Sequence, residues 1–349
     1  MNLKFSIRNS IIKRYNYGLG FLKVFLAFDV IRSHNFNYMS TNNKIILFIL
    51  KKKKIHVPSF FIMSFYFMHK ELISSNIKIY LKRIERLLIP YFLWPIIIFV
   101  LNNYILNIFF NIKIKPTFKD LKRQLLLGSN FISQFWFQWD LLVFTSIFFI
   151  LIYTLRNEHL FFIQILSIFS YILQYSGYNI KIYNHLKPEQ KLPIGRLVEM
   201  IPFSSSGFTL ASLNIINSLQ NYKIKTMTFC FLIIFFLEKY SVFSKLEGGV
   251  AYPGIILNIR AICLIIFFSL FPSNKLNDNR IEKIIKYITN YTAGVYYLHI
   301  AIIHYFKYSI ESIKNGTFFG LIIIYLICYF ICFIGMKFCG NSKLKYLFS

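Results

Sequence analysis

The chain has 349 residues, 56% of them apolar, 19% aromatic and only 15% charged, with a mean hydropathy of +0.53. A soluble domain carries about a quarter charged residues, so this composition excludes a water-covered globule and predicts a polytopic membrane protein. Forty Lys and Arg against 13 Asp and Glu give a net charge of +27, and because the basic residues fall between apolar runs, membrane lipids and an anionic ligand are the expected partners, with no nucleic acid.

A membrane span needs about 20 mostly apolar residues. Ten segments qualify: 18–39, 55–72, 87–110, 135–155, 159–177, 193–216, 224–240, 252–272, 287–306 and 317–338. The expected fold is therefore all-α, a polytopic membrane helix bundle with about ten transmembrane helices. The first segment is interrupted by Lys23, Asp29, Arg32 and His34 and has no small-residue cleavage site after it, so it does not read as a signal peptide. The second follows the tetralysine Lys51 to Lys54. The longest loops expected are 111–134 and 178–192. Residues 1–349 thus read as one integral-membrane domain with no soluble domain, and any chemistry belongs inside the bundle. Lys and Arg do not orient it: with a cytoplasmic N-terminus, nineteen fall inside and eighteen outside.

Ionisable groups at membrane depth are costly and point to function. Lys23 and His34 are eleven residues apart, about three helical turns, which puts them on one face roughly 16 Å apart. Such a face can hold an anionic group at one end and handle a proton at the other. Asp29 and Arg32, three apart, can neutralise each other on a neighbouring face. Arg83 and Arg86, also three apart and preceded by Lys82, suit two guanidiniums converging on phosphate oxygens. Arg196 and Glu199, Arg260, His299 and His304 are further candidates. The two late histidines, five apart, lie on different faces, and no metal site is expected from them. The cysteines Cys230, Cys263, Cys328, Cys332 and Cys339 lie in or beside apolar runs and read as buried hydrophobes.

Several stretches occur in an order that resembles the membrane acyltransferase-3 family. Lys23, ten residues and His34 resemble its first span, and Val57-Pro58-Ser59-Phe60-Phe61 its second. Arg83-Ile84-Glu85-Arg86 and the following Ile89-Pro90-Tyr91 are similar to its Arg-x-x-Arg segment. Phe135-Trp136-Phe137 resembles a fourth-span Leu-Trp-Phe, Arg196 to Phe203 a sixth-span segment, and Gly294 to His299 a late Gly-Ile-Tyr-Leu-Ile-His segment. The chain departs from the pattern at Gly20, where the family often has Asp, at Phe65, where it has Gly, and at Gln134, where it has His.

The resemblance implies a membrane O-acyltransferase that moves an acetyl or other acyl group from acetyl-CoA, as co-substrate, to a hydroxyl of a cell-surface polysaccharide or its lipid-linked sugar precursor. It implies a cell (inner) membrane location with a cytoplasmic N-terminus. His34 would be the catalytic imidazole, acting as base in direct transfer or briefly carrying the acyl group; the sequence leaves both routes open. Arg83 and Arg86 would hold the CoA phosphates, with Lys23 assisting. Glu199 would orient His34 or bind sugar hydroxyls, and His299 and Trp136 would line the acceptor site. A polysaccharide-intermediate transporter or flippase would use the same buried charges without CoA.

Overall fold

The structure, a computed structural model, describes residues 16–35, 55–74, 76–105, 116–128, 135–175, 188–243, 254–271, 279–306, 310–314 and 317–349. Arg14, the tetralysine Lys51 to Lys54 and Gln134 lie outside them, as do parts of the expected spans. The described residues are helical and contain no strand. Among the described residues twelve helices of ten or more residues follow one another: α1 Tyr17–Asn35, α2 His56–Ile73, α3 Ile77–Val100, α4 Phe118–Leu127, α5 Trp136–Leu155, α6 His159–Tyr175, α7 Pro188–Ser212, α8 Lys223–Phe243, α9 Gly254–Ser269, α10 Asn279–Thr289, α11 Thr292–Phe306 and α12 Phe318–Cys339.

Among the described residues three stretches are long and apolar enough to cross a membrane, where the sequence reading expected about ten in the whole chain: Ile77–Tyr104, Trp136–Gln174 and Phe318–Cys339. Trp136–Gln174 contains both α5 and α6, which meet at Arg156, a residue with φ of 44°. Gly254–Ser269 is a shorter apolar helix. Lys23, Asp29 and Arg32 interrupt the apolar run of α1, and α11 has only 15 residues.

Two helices occupy segments that the sequence reading left as loops. In α4, Lys119, Asp120, Lys122 and Arg123 give a polar face that masks the helical period from a hydropathy reading. The start is nevertheless written in the sequence. Thr117 accepts from the Asp120 backbone N–H and Asp120 accepts from the Thr117 N–H, a capping box, and Gly128 ends the helix at φ 72°. The helix α10 is likewise amphipathic, with Arg280, Lys283 and Lys286 among its residues.

The core brings α1 to the centre. It packs against α2, α9, α10, α11 and α12, burying Leu22, Leu26 and Ile31 completely. Pro58 is tolerated in α2 because it lies in the first turn, where a backbone N–H has no helical partner. Pro90 is internal to α3; the turn around it is tied to α5 by Gln138, which donates from Nε2 to the Leu87 carbonyl at 3.0 Å. Phe65, in place of the glycine of the resembled pattern, is fully buried and packs on Phe148 with ring centroids 4.9 Å apart.

The most extensive helix pair is α2 with α7. Their backbones meet at Gly207, where a Cβ would run into the Ile62 carbonyl. Gly207→Ala is therefore expected to push α2 from α7 and lower the midpoint of thermal unfolding in detergent. An unchanged midpoint would show that the two backbones do not approach there.

Candidate active site

At the C-terminal end of α1, three histidines from three helices form one cluster. The rings of His34 and His299 lie 5.2 Å apart between centroids. His56, the first residue of α2, is within electrostatic reach of His299. His34 is exposed, whereas His299 is fully buried and His56 is nearly so. His299 donates from Nδ1 to the Tyr296 carbonyl at 2.7 Å, because a carbonyl only accepts. This tautomer leaves Nε2 as an acceptor, and Nε2 is buried with no hydrogen-bond partner among the described residues.

Asp29 holds the third histidine. His56 donates from Nδ1 to Asp29 Oδ2 at 3.0 Å, while Arg32 donates from Nε to Oδ1 at 2.6 Å. The Asp29–Arg32 neutralisation expected from their spacing is present. His56 was not singled out by the sequence reading. It lies just before the matched Val57-Pro58, and nothing local links it to a carboxylate 27 positions earlier.

Lys23, Arg83 and Arg86 gather toward the other end of α1. Lys23 lies with Nζ 4.6 Å over the Phe67 ring and within electrostatic reach of Arg83. Arg83 in turn feels Glu71, Arg86 and Tyr297, and its Nε is buried without a hydrogen-bond partner among the described residues. An unsatisfied buried guanidinium N–H is a natural contact for an anion. Arg86 is exposed and lies 5.8 Å from the Tyr346 ring. The neighbouring Glu85 pairs with Lys343 and raises the pKa of that ammonium. Trp94 donates from Nε1 to the Leu347 carbonyl at 3.0 Å, so the segment after α12 lies along the Arg83–Arg86 turn.

Tyr297 links the two ends: it lies within reach of Arg83 and two residues from His299. Lys23, Arg83, Tyr297, His299 and His34 thus form a file of polar groups. A cavity of about 510 Å³ lies elsewhere, between α10 and α12, lined by Lys283, Tyr287, Tyr325 and Tyr329 among others. Among the described residues no group of three or more His, Cys, Asp or Glu could hold a metal ion.

Arg196, Glu199 and Trp136 belong to a second polar group. Arg196 donates to Asp140 Oδ1 at 3.4 Å and to the Leu127 carbonyl at 3.2 Å, and its guanidinium carbon lies 5.3 Å over the Trp136 ring. Asp140 is fully buried, and Glu199 is within its electrostatic reach. Asp140 is a residue that the sequence reading missed, since one acidic group in an apolar helix has no local signature. Arg260 and His304 are both engaged in interactions within the bundle. Removing one partner of a buried pair leaves the other charge poorly compensated, so Asp140→Ala should destabilise the fold by about 3–5 kcal/mol. Equilibrium unfolding in detergent checks this, and a change near zero would mean that solvent compensates Arg196.

Comparison with known proteins bears on what this arrangement does. No curated protein and no solved structure matches the chain. A family model described as an acyltransferase domain matches residues 16–337, which includes the three histidines, both arginines of the Arg83–Arg86 turn and the Asp140–Arg196 pair. The chain belongs to the acyltransferase-3 family, whose general chemistry is acyl transfer.

Proposed function

We propose that the chain transfers an acetyl group from acetyl-CoA to a hydroxyl of a cell-surface polysaccharide or its lipid-linked sugar precursor. The observation that carries this reading is the polar file from Arg83 and Lys23 through Tyr297 to His299 and His34. It pairs an anion-binding end with an imidazole end, and acetyl-CoA has matching ends: phosphates at one and a thioester at the other, joined by a long flexible arm. In this reading the other apolar helices cross the cell (inner) membrane with the three long ones, about ten in all, and the N-terminus is cytoplasmic. The Arg83–Arg86 turn then faces the compartment that holds CoA.

Each residue has a chemical task. Arg83 and Arg86 hold the phosphates by charge-assisted hydrogen bonds, and Lys23 adds positive charge along the arm. His34, exposed at the far end, is the reacting imidazole. As a neutral imidazole it takes the hydroxyl proton or receives the acyl group. Both routes convert a thioester and an alcohol into an ester and a thiol. His299 Nε2 accepts from an acceptor hydroxyl, and Trp136 gives a face on which a sugar ring stacks. Glu199, grouped with Asp140 and Arg196, binds sugar hydroxyls in this scheme.

His34→Ala is expected to lower acetyl-CoA turnover by the purified protein about 10²–10⁴-fold. Turnover equal to the parent's would remove His34 from the chemistry. Arg83→Ala should raise KM for acetyl-CoA more than it lowers kcat, as measured by thiol release. An intact protein that neither binds nor cleaves acetyl-CoA would favour a transporter of the polysaccharide intermediate.

A further inference from the structure

We propose that His56, held by Asp29, is the base that activates the acceptor hydroxyl while His34 carries the acyl group between donor and acceptor, an assignment that rests on the acyl-transfer reading. A single imidazole cannot hold an acyl group and remove the acceptor's proton in the same step, so a two-step transfer needs a second base at the same place. The histidine cluster contains one. Asp29 accepts from His56 Nδ1 at 3.0 Å, which fixes the neutral tautomer with its lone pair on Nε2 and stabilises the imidazolium once a proton arrives. Arg32, bonded to the other carboxylate oxygen at 2.6 Å, keeps that carboxylate from rotating away.

The surroundings separate the roles of the histidines. His34 is exposed and open to a donor, whereas His56 is 3% exposed and shielded from water that would compete for its lone pair. His299 lies against His34 and within electrostatic reach of His56, and its buried Nε2 has no partner among the described residues. Ser59, one turn along α2 from His56, is fully buried with its hydroxyl likewise unpartnered. These two unsatisfied groups are suited to hydrogen-bond an acceptor's hydroxyls.

In the first step a His34 ring nitrogen attacks the thioester carbonyl carbon. The C–N bond forms, the C–S bond breaks, and the departing thiolate takes the proton lost from the other ring nitrogen. In the second step the acceptor hydroxyl gives its proton to His56 Nε2, and its oxygen attacks the acyl carbon. The C–N bond then breaks, and His34 recovers a proton from the His56 imidazolium. The sum is ester plus free thiol, with both imidazoles neutral.

The test uses the full chain in lipid nanodiscs with radiolabelled acetyl-CoA, and methyl glucoside as the probe acceptor. The parent should release one CoA per chain in a burst, then turn over steadily. His56→Gln, which keeps a donor toward Asp29, should retain the burst, hold the label on the protein, and lose steady turnover by roughly 10²-fold or more. His56→Ala should regain turnover in added imidazole, a rescue that a packing role would not give. His34→Ala should lose both burst and label. Parental turnover in His56→Gln, or equal loss of burst and turnover without imidazole rescue in a variant whose unfolding midpoint matches the parent's, would overturn the proposal. A parent that neither binds nor cleaves acetyl-CoA would instead overturn the acyl-transfer reading beneath it.

Discussion

The hydrogen-bonded cluster of Asp29, Arg32 and His56 is the interaction on which the rest of the arrangement depends. A lone carboxylate in an apolar bundle is costly, because no water solvates it. Asp29 is buried, and each of its oxygens has its own partner, one from α1 itself and one from α2. The pairing therefore does two things at once: it lets α1 run through the centre of the bundle with charge in it, and it fixes the register of α1 against α2. That register brings His56 to the end of α1 that carries His34, and leaves Lys23 near Phe67 toward the other end of α2.

The division of polar groups along α1 follows. Lys23, Arg83 and Arg86 lie toward one end, the imidazoles and the Asp29-paired Arg32 toward the other, and Tyr297 lies between them. The second polar group, Asp140 with Arg196 over Trp136, ties α5 to α7 and to the carbonyl end of α4. The segment after α12 adds a third tie, since Lys343, Tyr346 and Leu347 meet Glu85, Arg86 and Trp94. Each tie uses polar groups where helix packing alone gives little orientation, as expected when lipid and protein interior are equally apolar.

What the sequence disclosed depended on how local its signals were. The apolar runs located most helices. The i, i+3 spacing of Asp29 and Arg32 foretold their pair, because both partners lie on one helix. His56 and Asp140 were not legible: their partners are 27 and 56 positions away, and only helix packing brings them together. The helices α4 and α10 escaped a hydropathy reading because they are amphipathic, although the capping box at Thr117 and Asp120 marked the start of the first. Phe65, which departs from the resembled pattern, fills space against Phe148.

The central claim is that one acyl donor spans the polar file, with its phosphates on the Arg83–Arg86 turn and its acyl carbon at His34. Electron cryo-microscopy of the chain in nanodiscs with a non-hydrolysable acetyl-CoA analogue tests this directly. The account predicts density running from Arg83 to the His34 ring. Density confined to another place, such as the cavity between α10 and α12, or an acyl end remote from His34, would contradict it.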